Sequence, residues 1–207
     1  MIKTKKELDF YLQADRMMNR NCFKFSLKNR LKNIITPDWI MLFLATMRKL
    51  DYYTSKEGGV NRLLLAYYRN KYKKLEVRLG FSIDPRVFGY GLVMPHHGTI
   101  VVGEGNKIGN YAVLHTSTCI TEQGKQIGNG LYLSAGVKMT HSITLGNGIS
   151  IGANSLVNKS IQEDNCLVVG TPAKKIKDYP VWYEKEKSVY KERVKKVEEL
   201  KKLFWDE

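Results

Sequence analysis

The sequence predicts a mainly β protein, a parallel β-helix of hexapeptide repeats set between an N-terminal helical region and a C-terminal helix. Three observations lead there: an apolar residue every six positions through the middle of the chain, capped helical patterns before it, and a charged amphipathic segment after it. The expected boundaries are 1–80 for the helices, 81–176 for the β-helix and 177–207 for the C-terminal helix. With 207 residues the chain can bury one good core with an appendage.

The first region reads as helices. Thr4 and Glu7 have the spacing of a capping box, in which hydroxyl and carboxylate satisfy the free amides of a helix start. Pro37 stands where a first-turn proline is tolerated, ahead of an apolar stretch from Trp39. After the break at Glu57–Gly59, Leu63, Leu64, Tyr67, Tyr68 and Leu75 recur at helical spacing, and Gly80 is a natural stop. These aromatic stripes read as helix-packing core.

The middle region carries the repeat. Val102, Ile108, Leu114 and Ile120 are six apart, and a seven-residue step across "TEQGKQ" follows. Ile127, Leu133, Met139, Leu145, Ile151 and Val157 then resume the period. A side of two or three residues points one side chain inward and turns. Three such sides close a coil, and stacked coils bury the inward residues as a column. Gly103, Gly109, Gly128, Gly146 and Gly152 follow inward residues, which suits turns needing positive φ or close backbone approach. Beyond Pro180, Val189, Val194, Val197, Leu200 and Leu203 mark the apolar face of a charged helix.

The formal net charge is +14, unevenly placed. Residues 1–80 hold 18 Lys and Arg against 7 Asp and Glu, residues 81–170 hold five of each, and residues 171–207 hold 11 against 8. The basic flank is a solvated face or an attraction to an anionic glycan or membrane surface. No base-stacking or recognition-helix pattern points to nucleic acid. The N-terminus lacks the apolar core of a signal peptide, and the longest apolar run, Trp39–Met47, is far short of a bilayer span. The three cysteines lack metal or redox spacing and read as reduced thiols. A cytoplasmic protein is expected, with peripheral contact at the inner membrane face as an option for the basic helices.

The stretch "GLVMPHHGTIVVGE" ahead of the repeat and "GTPAKKI" behind it resemble the serine acetyltransferase family over about Phe81 to Ile176. The resemblance implies a left-handed β-helix behind a helical domain, acetyl-CoA as donor, no metal, and active sites between the β-helices of a homotrimer. Aligned without a gap, "GLVMPHHGTIVV" puts the family's catalytic histidine on His96, with His97 a packing neighbour. An imidazole titrating near neutrality can take a proton from an attacking hydroxyl and return it to the departing thiolate. For acetyl-CoA the resemblance implies Ala135 and Ala153 at the coil edge, with Lys174 and Lys175 facing the phosphates.

Departures from the family bear on the acceptor. The aspartate that precedes the family's histidine is Pro95 here, and the carboxylate that orients it aligns with Ser82, leaving Asp84 or Glu104 as substitutes. The long loop whose Arg-His pair holds serine shrinks to Thr121–Gln126 with neither residue, and the chain ends "FWDE" rather than in the family's isoleucine. The expected function is therefore acetyl transfer to a sugar hydroxyl of a surface polysaccharide or its precursor. The alternatives are serine acetylation for cysteine biosynthesis and a non-catalytic β-helix with a basic binding flank. A zinc-dependent carbonic anhydrase, suggested by His115, lacks its second and third histidines, with Ala135 and Thr140 where they should stand and His141 one residue out. His115 and His141 are expected on the coil surface or lining the acceptor cleft.

Overall fold

In the computed structural model, residues 1–122 and 124–205 are described, with Arg30 as backbone only. Gln123 of the short loop and Asp206 and Glu207 of the C-terminal end lie outside the described residues. Four helices come first: α1 (Lys5–Arg20), α2 (Leu27–Ile35), α3 (Trp39–Thr54) and α4 (Gly59–Leu79). The capping box at α1 forms as predicted, with the Thr4 hydroxyl accepting from the Glu7 amide and the Glu7 carboxylate from the Thr4 amide. Asp38 caps α3, so Pro37 precedes the cap rather than sitting inside the first turn. Gly80 ends α4 in the left-handed region at φ 75°. Of the expected α4 stripe, Leu75 is buried but Leu63 and Tyr67 are 73% and 55% exposed, because α4 packs through the face of Tyr72, Leu75 and Leu79.

Short strands then wind into a parallel β-solenoid with three faces. The first face stacks β1 (Phe81–Ile83), β2 (Ile100–Val102), β5 (Thr118–Ile120), β8 (Lys138–Met139) and β11 (Leu156–Val157). The second stacks β3 (Lys107–Ile108), β6 (Gln126–Ile127) and β9 (Thr144–Leu145). The third stacks β4 (Val113–Leu114), β7 (Tyr132–Leu133), β10 (Ser150–Ile151) and β12 (Cys166–Gly170), closed by antiparallel β13 (Ala173–Asp178). All ten predicted inward residues, Val102 to Val157, are buried.

The seven-residue step is absorbed at the turn between the first and second faces. There the Lys125 ammonium, turned back into the fold, donates to the carbonyls of Thr121 and Glu122 at 2.7 Å each. Lys125 N–H donates to Asn106 Oδ1 of the coil below. The five glycines after inward residues serve close approach, not positive φ: a Cβ on Gly128 would meet Gly146 O at 2.7 Å, and one on Gly146 would meet Glu163 O at 2.6 Å.

The C-terminal helix α5 spans Tyr190–Trp205, starting later than the sequence suggests. Residues 181–189 instead run as turns that bury Val181 and Trp182, whose indole N–H donates to Tyr111 O. On α5 Val197 is buried and Val194 and Leu200 half-buried, but Leu203 stays exposed, as does Val189 just before the helix, so the packed face is narrower than predicted. No helix among the described residues is long and apolar enough to cross a membrane.

Candidate active site

The histidines occupy an enlarged corner between the third and first faces. Val93 pairs with Val113 and Ile100 with Thr118, so the lowest coil takes seven steps from face to face where the next takes five. The two extra residues push Pro95, His96 and His97 outward, and all three are exposed. Helix α4 supports this loop from below: Gly98 N–H donates to Leu79 O and Ile100 N–H to Gly80 O. Met94 N–H donates to Asn19 Oδ1 of α1, whose Nδ2 donates to Leu92 O.

Above the loop the same corner forms a ledge of small residues. A Cβ on Gly98 would meet Thr116, Gly136 N–H donates to Thr116 O, and Asn154 N–H donates to Ala135 O. Gly98, Thr116, Ala135 and Ala153 therefore follow one another up successive coils. With about 4.8 Å between strands, this ledge rises about 14 Å. Ala135 and Ala153 are exposed and leave backbone edges open to a long, thin ligand. Thr171, whose hydroxyl donates to Asn154 O, carries the chain on into β13, where Lys174 and Lys175 pair with Val169 and Val168 of β12. Lys175 is engaged with Asp178 at 2.8 Å, whereas Lys174 makes no salt bridge among the described residues. Of the two lysines, Lys174 is the one free to meet a phosphate.

Asp84 and Glu104 stand elsewhere. Asp84 N–H donates to Val102 O at the far end of β2, and Glu104 follows the same strand, about 10 Å of chain from the histidine end. Both face Arg86, Asp84 at 3.0 Å and Glu104 at 3.9 Å. Among the described residues no side chain hydrogen-bonds the His96 ring. The orienting role expected of Asp84 or Glu104 thus gives way to pairing with Arg86, because β2 separates the two corners.

The neighbour His96 does have is His115, one coil up, with ring centroids 6.2 Å apart. His115 Nε2 is hydrogen-bonded to Tyr132 Oη at 2.9 Å, and the Lys185 ammonium lies 5.6 Å from the Tyr132 ring centroid. Burial, and secondarily the charge of His96, lower the pKa of His115, so it is held neutral at pH 7. The corner thus presents an exposed imidazole beside a neutral, anchored one. His141 is on a different corner, hydrogen-bonded to the Thr140 hydroxyl at Nδ1, and does not converge with His115 as zinc ligands would.

The comparisons with known proteins agree with this fold. A serine acetyltransferase of Buchnera aphidicola subsp. Acyrthosiphon pisum is 36% identical over 115 residues, covering 50% of this chain and 41% of the relative. The structure of serine acetyltransferase from Neisseria gonorrhoeae superposes with a TM-score of 0.63 at 21% identity, covering 84% of this chain and 68% of that one. In sequence and in fold the chain is similar to serine acetyltransferases. A serine acetyltransferase solved in complex with CoA shares this fold with a TM-score of 0.60 at 20% identity, covering 82% of this chain and 67% of that one. No family model matches the chain. The chain spans 41% to 58% of the length of three curated relatives it matches.

Within this serine acetyltransferase-like frame, two parts of the site were not legible in the sequence. Tyr132 pairs with Val113, two residues before His115, so its meeting with His115 needs the coil register. Asp15 and Arg48, which hold the chain entering the histidine loop, come from helices with no motif linking them to it.

Proposed function

We propose that this chain is an acetyl-CoA-dependent O-acetyltransferase with His96 as general base. The observation that carries the proposal is the enlarged corner, which sets an exposed imidazole at the foot of a bare ledge of small residues. His96 takes the proton of the acceptor hydroxyl as its oxygen attacks the thioester carbonyl. The C–S bond then breaks and the imidazolium returns the proton to the thiolate. A neutral His115 beside it means that the proton arriving on His96 meets no second cation. Thioester and pantetheine would lie along Gly98, Thr116, Ala135 and Ala153, with Lys174 at the phosphate end. The residues present fit such a ligand, because small side chains leave the backbone approachable and a lysine serves phosphate as a point charge. A homotrimer with sites between adjacent solenoids is part of this reading.

Serine is the acceptor with the better support, since the relatives and the solved neighbours at this level of likeness are named serine acetyltransferases. The sugar acceptor expected from the sequence is not supported by these comparisons. The short loop without an Arg-His pair still means that serine's carboxylate must find a different cation, because Lys125 is committed to backbone carbonyls. The test is thiol release from acetyl-CoA by the purified protein, with serine and a panel of sugars and nucleotide sugars offered separately. Turnover with serine is the expected result. Turnover with a sugar alone would overturn the acceptor, and no thiol release with any acceptor would count against the activity itself.

A further inference from the structure

Helix α2 is amphipathic but turned outward. Leu27, Leu31, Ile34 and Ile35 fall on one face by helical spacing, and they are 75%, 66%, 76% and 84% exposed. The side toward the body is polar: Asn29 and Asn33 line the crevice that α2 makes with Arg20, Cys22 and Asp38. Lys28, at 100° from Leu27, occupies the flank between the two faces, and Lys32, at 140°, stands at the edge of the crevice and is part of its lining. A helix that packs on a protein body normally does the reverse, so this face is built for an occupant other than its own core.

Charge and size choose the occupant. Between Asp15 and Asp38 the chain has six cations and no carboxylate. A second copy docked face to face would set those cations against their equivalents. The helix is about 13 Å long, and one such face falls well short of the roughly 800 Å² per partner of a stable protein interface. Its anchors are all aliphatic, without the Trp or Tyr that dominate protein hot spots. A lipid surface is different: it is broad, takes a shallow row of aliphatic side chains at the headgroup–acyl boundary, and if anionic attracts the flanking lysines.

We propose that α2 is a peripheral docking surface for an anionic lipid bilayer, inserting Leu27, Leu31, Ile34 and Ile35 while Lys28 and Lys32 meet lipid phosphates. This does not depend on the acetyltransferase reading.

The experiment is cosedimentation of the full chain with vesicles of phosphatidylcholine alone and of phosphatidylcholine with phosphatidylglycerol. Binding to the anionic vesicles is expected, weakening as salt screens the lysines. The Leu31→Glu/Ile34→Glu variant should lose at least about tenfold in partition. Lys28→Gln/Lys32→Gln should lose less but lose the salt dependence. All four sites are surface positions, and thermal melts of both variants should match the parent. If the glutamate variant fails to fold, the lysine variant decides. Absence of binding to anionic vesicles, or undiminished binding by the folded variants, overturns the proposal. A smaller sedimentation coefficient for the glutamate variant without lipid would assign the face to a second copy and equally overturn it.

Discussion

Arg48 and Asp15 form an ion pair closed off from water, with Nε and Oδ2 at 2.8 Å and side chains 0% and 2% exposed. The Asp15 carboxylate also accepts from the amides of Gly91 and Leu92, and Arg48 donates to the carbonyls of Phe88 and Gly89. Helices α1 and α3 thereby hold the chain that leads into the histidine loop. Removing one partner strands the other charge in the core. Arg48→Met should cost about 3–5 kcal/mol in urea unfolding, and adding Asp15→Leu should recover only the part due to the stranded carboxylate, because the amides of Gly91 and Leu92 then lose their acceptor. A single variant within about 1 kcal/mol of the parent would show that the clamp does not hold this region.

His96 is exposed on a loop and hydrogen-bonds no side chain among the described residues, so its removal should not disturb the fold. His96→Ala is expected to change stability by no more than about 0.5 kcal/mol. Acetyl transfer should fall by about 10²–10⁴-fold, with CoA binding by calorimetry nearly intact. Normal turnover in this variant would end its assignment as general base.

His115 links stability to pH. Its folded pKa lies below the ordinary 6.5, first through burial and then through the charge of His96. Below pH 6.5 the unfolded chain therefore binds a proton that the folded chain resists, and stability falls with falling pH until the folded pKa is passed. Above pH 6.5 both states are neutral and the effect vanishes. Denaturation of the parent and of His115→Gln at pH 7.5 and pH 5 should show a smaller acid loss in the variant. Equal losses would place the acid sensitivity in other groups.

Glu198 ties α5 to the solenoid by accepting from the phenols of Tyr90 and Tyr111. Burial, followed by the neighbouring carboxylate, raises both phenols well above their ordinary range, so they remain donors at any ordinary pH. Glu198→Ala should cost about 1–3 kcal/mol by leaving Tyr111 without this partner in a largely apolar setting. Combining it with Tyr111→Phe should cost less than the sum of the single changes, as a double-mutant cycle would register.

The solenoid was legible because its signal is local. Each side of a coil buries one side chain, so Ile127, Leu133 and Met139 must be apolar wherever the rest of the chain lies. The capping box at Thr4 and the stop at Gly80 are equally local, since a helix end needs its partners within a turn. Exposed corners carry no such constraint. That is why Asp84, two residues from the aligned Ser82, is a natural substitute on sequence alone although β2 stands between it and His96, and why the charged pattern after Pro180 suggests an earlier start for α5 than the segment that buries Trp182 allows.

The amino-acid sequence by itself determined the repeat, its inward column, the helical flanks and the presence of a histidine at the mouth of the coils. The tertiary structure alone decided that two extra residues lift His96 outward, that His115 is anchored by Tyr132, that Arg86 takes Asp84 and Glu104, and that α2 turns its aliphatic face to solvent. The physical reason is range. A hydrophobic period is set residue by residue by burial, whereas a partner across coils or between helix and coil depends on stacking register and docking, which no short stretch of chain encodes.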